Sequence, residues 1–192
     1  MTFVISSFLW ILFFFTHSFF AATSVKEKLT FKWKWSERKY RFMYSLLSVV
    51  LVVPIFGIQL YYSKSSWISL GLIWKVAGVI LIFIGLIFNL LAFKNISARE
   101  FLGLTERKNK KEKLIQNGIY IFVRHPIYTG IIALFIGLFL VQATLYNALN
   151  FGWILLYLPI GIYLEEQKLV QLYGEDYKEY RRKVKSIIPF IL

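Results

Sequence analysis

Apolar residues along this chain gather into five long blocks, Thr2 to Ala22, Met43 to Tyr62, Ile68 to Phe93, Ile127 to Leu145 and the shorter Leu149 to Leu164, with charge concentrated between them. A helix on the surface of a soluble protein interrupts its apolar run every few residues to present a polar face to water. These blocks are hardly interrupted. At 1.5 Å per residue, about 20 residues cover the roughly 30 Å hydrocarbon layer of a bilayer, so the pattern predicts five membrane-spanning helices. The first block has no basic residue ahead of its apolar run and is long enough to span, so it reads as a helix and not as a signal peptide.

Beyond Leu164 the pattern changes. Charges recur every few residues from Glu165, while Tyr173, Tyr177, Tyr180 and Val184 fall at i, i+4, i+7 and i+11 and share one helical face. Lys178, Arg181, Arg182 and Lys185 occupy the other faces, which describes an interfacial helix. Gly174 followed by Glu175 and Asp176 marks the start of a new helical segment, with acids at its positive end. Within the third block Gly71, Gly78, Gly85 and Ala92 recur every seven residues, and Gly130, Gly137 and Thr144 repeat the device in the fourth. Two such stripes predict close packing of the third helix on the fourth, with Gly130 placed where a ligand also needs room. The expected fold class is therefore all-α, a polytopic membrane protein with five transmembrane helices and a C-terminal interfacial helix.

Composition agrees with lipid as the solvent: 58% of the 192 residues are hydrophobic and 19% aromatic, above the roughly 45–50% apolar share of soluble domains. The formal net charge of +13 would suggest nucleic acid in a soluble protein. Its distribution points instead to the membrane. Seven Lys/Arg lie between the first two blocks (Lys26, Lys28, Lys32, Lys34, Arg38, Lys39, Arg41), eight from Lys94 to Arg124, and six from Lys168 to Lys185. Only Lys64 and Lys75 remain for the other side. The positive-inside bias then puts the N-terminus outside and both long loops and the C-terminus in the cytoplasm. Membrane lipids are the expected partners of most of these cations, with no nucleic acid and no obligate protein partner. The chain has no cysteine and only His17 and His125, so no thiol chemistry and no protein-supplied metal site are expected.

Polar residues inside the blocks divide by position. Lys75 lies toward the outer side, where a long amine reaches the headgroups. His17 and Asn89 lie near the cytoplasmic ends of their helices, facing either an interhelical hydrogen bond or the substrate side of a site.

The stretch from Gly118 through Tyr120 and Arg124-His125-Pro126-Ile127-Tyr128-Thr129-Gly130 carries the most chemistry. Pro126 suits the first turn of a helix, so Arg124 and His125 sit just ahead of a helix N-terminus, which favours an anion or anchors the helix to lipid phosphate. Glu165 and Glu166 are costly near lipid unless matched by a cation. Arg124 is one candidate, and the amine and sulfonium of a ligand are another. Amides and cations on one helix, carboxylates on the next and flanking Tyr120 and Tyr128 suit a zwitterionic ligand bearing an aromatic base.

This string, followed by Glu165-Glu166, Leu169, Tyr173-Gly174, Tyr177, Tyr180, Val184 and Pro189, resembles the isoprenylcysteine carboxyl methyltransferase superfamily over roughly the C-terminal half. In the N-terminal half Thr16-His17-Ser18, Ala21, Val25-Lys26, Tyr40-Arg41 and Tyr44 look like the NnrU-like and membrane thiol methyltransferase branch. The resemblance implies S-adenosyl-L-methionine as cofactor, held by Leu114, Ile115, Tyr120, His125, Pro126, Tyr128, Gly130 and Glu165 or Glu166. Arg124, Glu165 and Glu166 are then the catalytic candidates. The chain reads as a single membrane domain over 1–192, with helices one to three (1–93) as scaffold and 94–192 forming the cofactor site. The acceptor would be small or lipophilic: a thiol, an isoprenylcysteine-like carboxylate or a lipid. One departure bears on the carboxylate: eukaryotic isoprenylcysteine enzymes carry an arginine about one turn before the paired glutamates, whereas Pro159 through Leu164 contains no basic residue. The other readings are a nicotinamide-dependent reductase of the sterol-reductase type, which shares a similar Arg-His-Pro-x-Tyr region, and a non-enzymatic small transporter or regulator.

Overall fold

The structure is a computed structural model describing residues 1–62, 66–94, 97–106 and 113–189. Lys64 and the basic stretch 107–112 lie outside the described residues. The described chain is helical: α1 (Thr2–Ala21), α2 (Thr23–Trp33), α3 (Glu37–Tyr62), α4 (Leu72–Lys94), the single turn α5 (Ala98–Phe101), a 3-10 turn over Gly118–Ile121, α6 (Pro126–Val141), α7 (Leu145–Tyr173) and α8 (Glu175–Lys183). Among them α1, α3, α4 and α7 are long and apolar enough to cross a membrane. The chain is a multi-pass membrane protein.

The predicted fourth and fifth blocks change proportions. α6 has 16 residues, about 24 Å of helix, because Thr144 ends it by capping the next helix. The Thr144 hydroxyl accepts from the Asn147 backbone N–H at 3.1 Å, and the Asn147 amide donates back to the Gln142 carbonyl at 2.6 Å. Apolar Ala143 and Leu145 on either side of that cap extend the apolar run, so hydropathy places the break a few residues late, after Leu145. α7 in turn runs 29 residues, past Leu164 and through the paired glutamates. It stops at Gly174, whose φ of 58° suits glycine, and α8 starts there as expected.

The chain packs as two compact units, Met1–Tyr62 with Ile96–Glu112, and Ser63–Asn95 with Lys113–Leu192. In the first, α1 and α3 run antiparallel with Trp10 and Ile55 buried. The Tyr40 hydroxyl donates to the Phe20 carbonyl at 2.8 Å, tying the α3 start to the α1 end. His17 lies one turn earlier, its Nδ1 2.8 Å from the Tyr44 hydroxyl and 3.4 Å from Ser48 Oγ. Gly103, at φ 72°, lays the segment 97–106 on the backbone of Arg38–Phe42: a Cβ there would sit 2.8 Å from the Arg38 carbonyl.

In the second unit the glycine stripes interlock. A Cβ on Gly85 would stand 2.6 Å from the Gly130 carbonyl, and one on Gly137 2.6 Å from the Gly78 carbonyl, so the α4 and α6 backbones touch. Gly71 has open space and takes no part, while Thr144 serves as the cap. Gly85→Leu must push the two helices apart, and a loss of about 1–3 kcal/mol is expected. A thermal-shift measurement in detergent checks it, with Gly71→Leu expected to be near neutral.

Candidate functional site

The site grows from the junction that precedes α6. Gly118, at φ 62°, turns the chain into the 3-10 turn, which buries Tyr120. Pro126 takes the first position of α6, where its missing N–H costs nothing, leaving Arg124 and His125 just outside the helix. The C-terminal segment runs alongside: the Arg124 N–H donates to the Lys185 carbonyl at 2.8 Å and the His125 N–H to that of Ser186 at 3.0 Å. The Thr129 hydroxyl donates to the Ile187 carbonyl at 2.7 Å, and the Tyr180 hydroxyl to the Tyr120 carbonyl at 2.6 Å. Tyr177 and Tyr180, expected on one aromatic face, are buried.

Arg124 is committed to protein groups. Its Nη2 and Nε lie 2.6 and 3.0 Å from Glu166 Oε1, while Nη1 donates to the carbonyls of Arg181, at 3.2 Å, and Val184. Arg181 adds a second cation, its Nε 3.4 Å from the other Glu166 oxygen. Glu166 is thereby matched on both oxygens, and its side chain is only 8% exposed. Glu165, its neighbour in sequence, has a side chain 46% exposed, faces His125 Nδ1 at 3.6 Å and takes a hydrogen bond from Tyr128. The two carboxylates point about 100° apart around α7, and that rotation gives them different surroundings.

His125 is held between them, with Nε2 3.2 Å from Glu166 and Nδ1 toward Glu165. Carboxylates only accept, so a ring facing two of them is satisfied when both nitrogens carry protons. Burial opposes the cation, but the hydrogen bonds and charges of Glu165 and Glu166 outweigh it and raise the pKa above 6.5. Burial, with the Glu165 charge behind it, pushes the Tyr120 phenol up to about 12, so this ring is a neutral hydrogen-bonding group at physiological pH.

The His125 shift makes a pH prediction. A group whose pKa is raised on folding contributes stability in full below its unfolded value, here 6.5, and that contribution is lost as pH rises through the folded value. The melting midpoint of the wild-type protein is expected to fall between about pH 6 and 9, and His125→Gln to flatten that slope. Equal slopes for the two proteins would refute it.

The remaining predicted residues fall as follows. Tyr128 packs on His125, ring centroids 5.6 Å apart. Leu114 and Ile115 are half-buried in the irregular segment before the 3-10 turn. Gly130 faces Asn89, whose side-chain amide lies where a Cβ would go and donates to the Gly85 carbonyl at 2.8 Å. Asn89 is thus used in helix packing. His17 belongs to the first unit, with Tyr44 and Ser48 as its partners. Sequence reasoning missed Arg181 as a partner of Glu166, along with the strap of carbonyls from Arg181 to Ile187. A carbonyl belongs to every residue type, so the strap has no signature in the sequence.

These features describe a helical membrane protein with a charged, tyrosine-lined site where the chain enters α6 and passes along α7. The chain belongs to the phospholipid methyltransferase family, whose family model matches residues 73–176 and so spans α4 through the start of α8. Similar curated proteins include the protein-S-isoprenylcysteine O-methyltransferase of Schizosaccharomyces pombe, 35% identical over 46% of this chain and 38% of its own length. Methanethiol S-methyltransferase 1 of Bradyrhizobium diazoefficiens is 38% identical over 38% of this chain and 25% of its length. The protein-S-isoprenylcysteine O-methyltransferase of Dictyostelium discoideum is 29% identical over 62% of this chain and 50% of its length. The chain thus spans half or less of the length of these relatives. No solved structure matches it.

Proposed function

We propose that the protein is a membrane methyltransferase that moves a methyl group from S-adenosyl-L-methionine to a small or lipophilic acceptor, a thiol, an isoprenylcysteine-like carboxylate or a lipid. One observation carries the reading: of two adjacent glutamates, Glu166 is neutralised by Arg124 and Arg181, while Glu165 stays part-exposed beside His125 and Tyr128. A part-exposed carboxylate with phenols beside it fits a ligand carrying an amine, a sulfonium and an aromatic base. Bound there, S-adenosyl-L-methionine supplies an electrophilic methyl group to an in-line nucleophile.

The residues of this chain bind, orient and exclude water. Glu165 holds the ligand's positive charge and Tyr128 fixes the carboxylate. His125 and Pro126 shape the wall, and Tyr120, Leu114 and Ile115 line the remainder, while Gly130, packed against Gly85 and Asn89, serves the α4–α6 contact instead. Arg124 and Glu166 act through His125 and the C-terminal strap as positioning residues. A thiolate or carboxylate acceptor needs no strong base, and among the residues of the site none is called on to act as one. Residues 94–192 carry the cofactor site and residues 1–93 the scaffold.

The same reading takes α6 as a fifth, short span and α8 as an interfacial helix. It places the N-terminus outside, and both long loops and the C-terminus in the cytoplasm, on the charge distribution. The names of the similar curated proteins support methyl transfer over nicotinamide-dependent reduction. Incubating the purified protein with methyl-labelled S-adenosyl-L-methionine and lipid or thiol extracts is expected to label an extract component. Absence of both transfer and cofactor binding, or tighter binding of a reduced nicotinamide cofactor, would sink the proposal.

A further inference from the structure

A shallow cavity of about 400 Å³ opens in the first unit between the start of α3 and the segment 97–106, lined by Ser36, Arg38, Lys39, Phe42, Leu104 and Glu106 among others. We propose that it binds a monoanionic phospholipid of the phosphatidylglycerol type, with the phosphate between Arg38 and Lys39. Among the described residues the lining carries two cations and one carboxylate, a surplus of positive charge that suits a phosphodiester. Glu37, the acid next in sequence to Arg38, pairs with Lys26 at 3.0 Å. The Lys39 ammonium lies 4.9 Å above the Trp35 ring, which steadies it and leaves its N–H groups for an oxyanion. Ser36 and Glu106 face the same space and suit the hydroxyls of a glycerol headgroup.

The position favours a lipid over a free anion. α3 is one of the helices long enough to span, and the cavity lies along its first two turns. Phe31 and Trp33, just ahead of α3, are 89% and 47% exposed, and Phe42 and Leu104 present exposed apolar surface inside the cavity itself. Aromatic residues beside cations at a helix end are the composition of the headgroup layer. An apolar wall beside two cations suits a phosphate that continues into glycerol and acyl chains. The wall is also built into the fold, because Gly103 lets the segment lie closer to α3 than any residue with a Cβ allows.

The test uses the full-length protein in micelles containing equal amounts of phosphatidylglycerol and phosphatidylcholine, with bound lipid measured by native mass spectrometry. Wild type is expected to retain phosphatidylglycerol about fivefold or more over phosphatidylcholine, and R38Q/K39Q to bring the ratio near parity. A K28Q/K32Q control, which removes two exposed cations not among the lining residues named above, is expected to keep the preference. Inorganic phosphate at matched ionic strength is expected to leave it intact. Parity in the wild type overturns the proposal without reference to any variant. A preference that survives R38Q/K39Q, falls equally in the control, or is erased by inorganic phosphate overturns it as well, the last two pointing to diffuse charge and to a simple anion site.

Discussion

Arg124→Ala is expected to lower stability by about 3–5 kcal/mol, a fall in melting midpoint on the order of 10 °C. The guanidinium is the main counter-charge of a carboxylate whose side chain is 8% exposed. Removing it leaves Glu166 with Arg181 at 3.4 Å and His125 at 3.2 Å, and strands the Arg181 and Val184 carbonyls it also binds. A buried charge deprived of its nearest partner costs more than the pair contributes, so the loss exceeds what a surface ion pair would suggest. Arg124→Lys is expected to recover only a minor part, since one ammonium cannot reach Glu166 and two carbonyls in the planar geometry of a guanidinium. Thermal melting of both variants checks this, and an Arg124→Ala midpoint within about 2 °C of wild type would show that the pair does not hold the tail in place.

Glu165→Gln is expected to separate binding from stability. The substitution keeps the volume and leaves Arg124, Glu166 and Arg181 paired, so the melting midpoint should fall less than in Glu166→Gln, by the weakened His125 contact alone. Affinity for S-adenosyl-L-methionine is expected to fall about 10- to 150-fold, the worth of a charge-assisted contact of roughly 1.5–3 kcal/mol. Glu166→Gln should do the reverse in kind, lowering stability first because it uncouples Arg124, Arg181 and His125 together. Calorimetric titration of the cofactor, run with a melting curve on each variant, distinguishes the two glutamates. Unchanged affinity in Glu165→Gln would remove the observation on which the methyltransferase site rests.

Much of this was legible from the residues. The apolar blocks matched α1, α3 and α4 closely because lipid as solvent demands an uninterrupted run, which is a local property. Pro126 at the first turn of α6, the break at Gly174 and the packing of the two glycine stripes on each other were readable for the same reason, though not which glycine meets which. Each follows from one residue's backbone freedom or size. The break between α6 and α7 was read a few residues late, after Leu145, because the Thr144 cap lies between apolar neighbours and hydropathy does not register a hydroxyl accepting one hydrogen bond.

The sequence by itself determined the solvent, the helical class and the set of chemical groups: two glutamates, a histidine and an arginine within reach of two helix ends. It could not assign them different tasks. Glu165 and Glu166 are the same residue one step apart, and only their rotation around α7 sets one against Arg124 and Arg181 and leaves the other part-exposed beside His125 and Tyr128. The strap that holds Arg124 is made of backbone carbonyls from Arg181 to Ile187, brought there by the turn at Gly174 and the burial of Tyr177 and Tyr180. Side-chain periodicity reports what a residue prefers locally. Contacts made through backbone oxygens some sixty residues away depend on how the helices pack, and only the tertiary structure decides that.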